Sequence, residues 1–90
     1  MHAVVVSVTI NNFDDAVATL RGEIVPRVSQ APGFVGGYWV AINDRAQGRG
    51  TIVYESEDAA RAVADQIQQA PTNNDVTIDS IEVGEVTAQA

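Results

Sequence analysis

His2 is the only histidine among 90 residues, and imidazole is the side chain that gains and loses a proton nearest neutral pH, so it is the first candidate for a general base. Its place at the chain start, with no recognisable partner, describes a frayed or edge position equally well. Tyr38 and Trp39 are adjacent. In a strand such neighbours point to opposite faces, so only one can line a cavity while the other packs under a helix or at an edge. Arg45 and Arg49 fall in a polar, glycine-containing stretch, Asn43 to Gly50, from which they could draw an anionic substrate toward a cavity mouth. Exposed loop arginines also serve simply as solubilising charge. Asn11 and Asn12 could orient a substrate oxygen, although capping the next helix is the stronger reading. The acids are spread along the chain without ligand-like spacing, so no metal site is visible. The absence of Cys removes a thiolate nucleophile, a disulfide framework and a Cys-based metal centre.

The elements that must position these residues follow from the apolar pattern. Ala3 to Ile10 is β-branched almost throughout, as in a strand covered on both faces, which places it centrally in a sheet. Asn11-Asn12 ends it, and a helix follows on Phe13, Val17, Leu20, Ile24 and Val28, with Asp14 and Asp15 in its first turn. Gly22 and Pro26 predict a kink or break, because Pro26 has no N–H to bond back to Gly22. Ala31-Pro32-Gly33 stops the helix. Phe34 to Ile42 reads as a second strand, Asn43 to Gly50 as a hairpin loop, and Thr51 to Glu55 as a third strand. Ser56 with Glu57 and Asp58 begins a second helix on Ala60, Val63, Ala64 and Ile67, which Pro71 ends. Thr72 to Asp75 is the turn into a last strand, Val76 to Val86, bent at Gly84.

The order β-α-β-β-α-β, with right-handed crossovers, gives an α+β, ferredoxin-like antiparallel sheet with strands one and three in the middle and both helices on one face. A single domain over residues 1–90 is expected. Strand one offers Val4, Val6, Val8 and Ile10 to one face and Ala3, Val5, Ser7 and Thr9 to the other. Neither resembles a solvent face. An apolar patch beyond a few hundred Å² is more than a monomer normally leaves bare. A second copy placed face to face about 10 Å away would cover it and could close a pocket between the two sheets.

Composition narrows the partners. Twelve acids against five Arg, and no Lys, give a formal charge of -7, which repels phosphate backbones and anionic membranes, so nucleic acid and membrane are excluded as partners. Ala3 to Ile10 lacks a basic flank and is too short to span a bilayer, and the chain reads as cytoplasmic. Strand one carries no basic or aromatic platform for RNA, and no glycine-arginine phosphate loop follows it.

Two segments carry a likeness. Ala31-Pro32-Gly33-Phe34-Val35-Gly36-Gly37-Tyr38-Trp39, followed by Thr51-Ile52-Val53-Tyr54-Glu55-Ser56-Glu57-Asp58-Ala59-Ala60, resembles the dimeric α+β barrel superfamily, which includes the antibiotic-biosynthesis monooxygenase domains. The resemblance implies two sheets facing each other across a dimer axis and, for several members, cofactor-free oxygenation of polycyclic phenols. It places Tyr54 where many members carry Trp, which makes it a pocket-lining candidate. The haem-degrading branch carries a His on the second helix, and Glu57 to Gln69 contains none. No cofactor is expected.

Two functions follow. One is an oxygenase or isomerase acting without a cofactor on an aromatic or polyketide-like compound. The other is a non-catalytic homodimer that binds a ligand or a protein.

Overall fold

The computed structural model describes residues 1–69 and 75–90. Strands β1 (His2–Ile10), β2 (Phe34–Ile42), β3 (Gln47–Tyr54) and β4 (Val76–Glu85) form one antiparallel sheet in the order β2-β3-β1-β4. The two strands expected in the middle are there. Helix α1 (Phe13–Thr19) runs through a π-helical turn (Leu20–Ile24) into α2 (Val25–Ser29), and α3 (Glu57–Gln69) joins β3 to β4 on the same face. The expected helix end at Pro71, and the turn residues Thr72 to Asn74, lie outside the described residues.

Local chemistry explains these boundaries. Asn12 caps α1 by accepting from the Asp15 N–H at 3.1 Å, and Ser56 accepts likewise from the Ala59 N–H at 3.1 Å to start α3. The break predicted near Pro26 is the π turn. The Val25 N–H reaches back five residues to the Leu20 carbonyl, so the helix widens one turn ahead of the residue that cannot donate. Gly33 then adopts a φ of +84°, and its carbonyl accepts from the Glu55 N–H at 2.8 Å, tying the start of β2 to the end of β3.

Two boundaries differ from expectation. The hairpin loop is only Asn43 to Ala46, with Asn43, Asp44 and Arg45 all at positive φ, and residues 47 to 50 belong to β3. Gly48 and Gly50 sit in the strand because side chains occupy the space above them. A Cβ on Gly48 would lie 2.9 Å from Val8 Cγ2, and one on Gly50 would lie 2.9 Å from Trp39 Cδ1. In β4 the register irregularity falls opposite Ser7/Val8, not at Gly84, which pairs regularly with Ala3. Asp79 occupies the extra position and its carboxylate accepts from Thr9 Oγ1 at 2.8 Å.

The helix and sheet layers form a wedge. At the closed end Val4, Val28, Ile52, Tyr54, Ala60, Val63 and Ala64 make a continuous buried core. Tyr54 has no exposed surface, its hydroxyl donates to the Val28 carbonyl at 2.8 Å, and its ring meets Phe34 edge-on at 5.9 Å. At the other end no residue of α1 or of the π turn is buried. The apolar stripe of that helix therefore faces the sheet without touching bottom.

Tyr54→Phe should lower unfolding free energy by about 1–2 kcal/mol in urea, because the Val28 carbonyl loses its 2.8 Å hydroxyl donor in a dry site and keeps only the backbone N–H groups of Gln30 and Ala31. Burial raises the Tyr54 pKa above 10.0, so the folded chain keeps that proton longer than the unfolded one. The stability this contributes is present below pH 10 and is lost as pH climbs through the folded value. The Phe variant should lack that alkaline slope; an unchanged urea midpoint would contradict the clamp.

Candidate functional site

The open end of the wedge is a cleft of about 920 Å³ between the sheet and the helices. Its sheet wall comes from Val6, Val8 and Ile10 of β1, Trp39 and Ala41 of β2, Gly48, Gly50 and Ile52 of β3, and Ile78 of β4. Its helical wall comes from Phe13, Val17, Leu20 and Ile24, with Val63 and Ile67 of α3 at the side. These are the residues of the apolar helical spacing, half-buried instead of packed home. The volume lies near the upper end of the range for small-molecule sites, and the walls are aliphatic, as such sites usually are.

Trp39 sets the shape of the floor. Its ring lies along the sheet across Gly50, its partner on β3, and Gly37, two residues back on β2. A Cβ on Gly50 would come within 3.1 Å of the indole nitrogen, and one on Gly37 within 3.1 Å of Cη2. Only bare backbone lets the ring lie this close. The result is a flat π surface facing an aliphatic ceiling, suited to stacking a planar ligand.

Polar groups are few. Among the described residues Asp75 is the only carboxylate lining the cleft, and one of its oxygens accepts from Thr19 Oγ1 at 3.4 Å. Arg21, Arg27, Arg49, Gln66 and Gln69 also border it. In the described residues the one ion pair joins Arg61 and Glu57 on α3, so the arginines near the cleft have no carboxylate partner.

The sequence candidates separate in space. Trp39 is in the cleft. Tyr38 borders the cleft as well, although strand parity turns its side chain to the opposite face of the sheet, where it is 79% exposed. Tyr54 is the closed-end clamp and lines nothing, since its hydroxyl and ring are both satisfied by the core. Arg49 borders the cleft but as a β3 residue, not a loop residue; by register its side chain shares the face of Ser7 and Val40, and its guanidinium donates to the Gly48 carbonyl at 2.9 Å. Asn11 is exposed, with its amide donating to Thr77 Oγ1 at 3.2 Å, which ties β1 to β4 away from the cleft. His2 pairs in register with Tyr54 and Glu85 at the closed end. Its buried Nδ1 has no hydrogen-bond partner among the described residues, and His2 is not among the residues that line the cleft. The cleft itself lies on the helix side of the sheet, not between two sheets.

Sequence reading missed Thr19, Asp75, Gly48 and Gly50. The glycines were visible as an alternation with Arg49, which is strand spacing, but glycine in a polar run also signals a turn.

No protein-family model and no curated protein matches this chain. Two solved structures superpose on it over nearly its whole length. One is the haem degrader MhuD from Mycobacterium tuberculosis, with two haems bound in its active site, at 22% identity and a TM-score of 0.57, covering 97% of this chain and 98% of that one. The other is a monooxygenase from the gene ActVA-Orf6 of Streptomyces coelicolor, in complex with nanaomycin D, at 14% identity and a TM-score of 0.59, covering 99% and 91%. The chain has the antibiotic-biosynthesis monooxygenase-like fold. At these identities the likeness is one of fold, and it agrees with the arrangement expected from the order of elements.

Gly50→Ala should lift the indole from the floor. Because Trp39 is the only tryptophan, its emission reports the change directly, with a red shift as the ring meets water and a loss of about 1–3 kcal/mol in stability from overpacking. An emission spectrum identical to the parent's would contradict the close approach.

Proposed function

We propose that the chain binds a flat, multi-ring phenolic compound in the cleft and oxygenates it without a cofactor. The observation that carries this reading is Trp39, laid across two glycines at the floor of an aliphatic cleft large enough for several fused rings. The shared fold supports it, since both solved neighbours are described as acting on or holding a small molecule.

The donor set favours chemistry in which the substrate supplies the electrons. A ring-activated methylene loses a proton to give a carbanion stabilised through the phenolic ring, and the carbanion reduces O₂. The net change is R₂CH₂ + O₂ → R₂C=O + H₂O, with all four electrons from the substrate. Asp75, which accepts from Thr19, is the carboxylate that borders the cleft and would take the proton. The aliphatic walls exclude water from the carbanion. Haem, the ligand of the first neighbour, fits this cleft poorly as a substrate. Its iron calls for an axial His, Cys, Met or Tyr; of these types only Tyr38 borders the cleft among the described residues, and strand parity turns its side chain to the far face of the sheet.

The working unit is a cytoplasmic homodimer formed through the sheet face opposite the helices. That face is more polar on β4 than expected, with Thr77, Asp79, Ser80 and Glu82, and its apolar part lies on β2, where Val40 is 53% exposed beside Tyr38. No helix among the described residues is long and apolar enough to cross a membrane.

Anthrone and its hydroxylated derivatives are suitable probes. The protein should raise O₂ consumption above the spontaneous rate with one O₂ per ketone formed, Asp75→Asn should lower kcat by about 10²-fold, and Trp39→Ala should act mainly on KM. No uptake above background would overturn the reading. In sedimentation at micromolar concentration the parent should run as a dimer, and Tyr38→Asp as a folded monomer; a monomeric parent would remove the proposed interface.

A further inference from the structure

Phe13, Val17 and Arg21, spaced by four residues along one stripe of the first helix, border the cleft and also a second recess of about 490 Å³, completed by Asp14, Ala18 and Arg45. The two spaces share this helical rim. At the rim the Arg45 guanidinium stacks over the Phe13 ring, 4.3 Å from its centroid, held there by a hairpin turn whose three residues Asn43, Asp44 and Arg45 are all at positive φ. A turn of that kind is a costly way to place a side chain. Stacking leaves the planar edge of the guanidinium, with its N–H fork, free to meet an acceptor.

The charge distribution is the second observation. The chain carries -7 overall, yet the recess is lined by Arg21 and Arg45 against Asp14 alone, a local excess of one positive charge. Neither arginine pairs with a carboxylate among the described residues, whereas Arg61, on α3, does.

Building on the aromatic-ligand reading of the cleft, we infer that Arg21 and Arg45 form a clamp for a carboxylate carried by the ligand. The ring system lies on Trp39, and the substituent passes over Phe13 into the recess. A carboxylate suits the fork of a guanidinium, which can donate two parallel hydrogen bonds to it. The substrate class is thus an aromatic acid, and the two arginines determine specificity without touching the reacting carbon.

The test uses Trp39 emission quenching by two probes of equal shape, anthraquinone-2-carboxylate and anthraquinone-2-carboxamide, with the full chain at low salt. The parent should bind the carboxylate about tenfold more tightly, a ratio worth 1.4 kcal/mol. In Arg21→Gln/Arg45→Gln the preference should fall below about twofold while carboxamide affinity stays the same, and Arg61→Gln should keep the full preference. Salt should erode the preference in the parent. Equal affinity of the parent for both probes, or a preference that survives the double substitution, overturns the clamp and leaves the aromatic site standing. If neither probe quenches Trp39, both the site and the clamp fail.

Discussion

The hydrogen bond from the Tyr54 hydroxyl to the Val28 carbonyl fixes the distance between helix layer and sheet at one end, and the rest of the structure follows from that distance. With α2 held down on β2 and β3, the layer pivots there. α3 stays close along its length through Ala60, Val63 and Ala64, whose small side chains allow it. α1 lies beyond a π turn and receives no such clamp, so its apolar stripe stands off. A core built only for stability would close that gap with larger side chains on the sheet, because unfilled contact between apolar walls forfeits dispersion energy. Here the facing positions on β3 are Gly50 and Gly48 and the nearest on β2 is Ala41. Val8 and Trp39 lie close over these glycines, so the sheet wall stays low beneath the helix.

The glycines do a second thing that a mere void would not need. Gly37 and Gly50 let Trp39 lie flat instead of standing into the cleft, which turns the largest side chain in the chain into a floor. The ceiling is only half-buried, and a helix with few buried contacts opens at lower cost than one packed home. A flat floor under a half-buried ceiling is the geometry that suits a thin, planar shape.

Much of this was legible in sequence, for reasons that can be named. The order of elements, the central place of β1 and the helix defect before Pro26 all rest on strong local rules: β-branched runs, helical spacing and a missing N–H. The site was less legible. Tyr54 looked like a pocket residue by its position in the resemblance, but a buried hydroxyl needs an acceptor, and the acceptor it found belongs to a carbonyl 26 residues earlier in the chain. Trp39 and Tyr38 could be separated by strand parity, yet parity alone does not say which face carries the cleft. Arg49 was read as loop because Gly48 and Gly50 flank it; in a strand glycine has meaning only once its cross-strand neighbour is known, and here those neighbours are Val8, Val6 and Trp39. Asp75 and Thr19 meet across the chain through backbone that no local pattern encodes.

The net charge, read alone, argues against an anionic ligand, and distance decides against that argument. At physiological salt a charge is largely screened beyond about 8 Å, so the distant acids contribute little at the rim of the cleft, whereas a guanidinium in contact acts at nearly full strength. Arg45 is held on Phe13, and its aromatic support shields one side of the cation from water. Screening thus lets one acidic chain carry a basic rim: the many acids keep the surface hydrated and discourage polyanions, while Arg21 and Arg45 set the local charge beside the cleft.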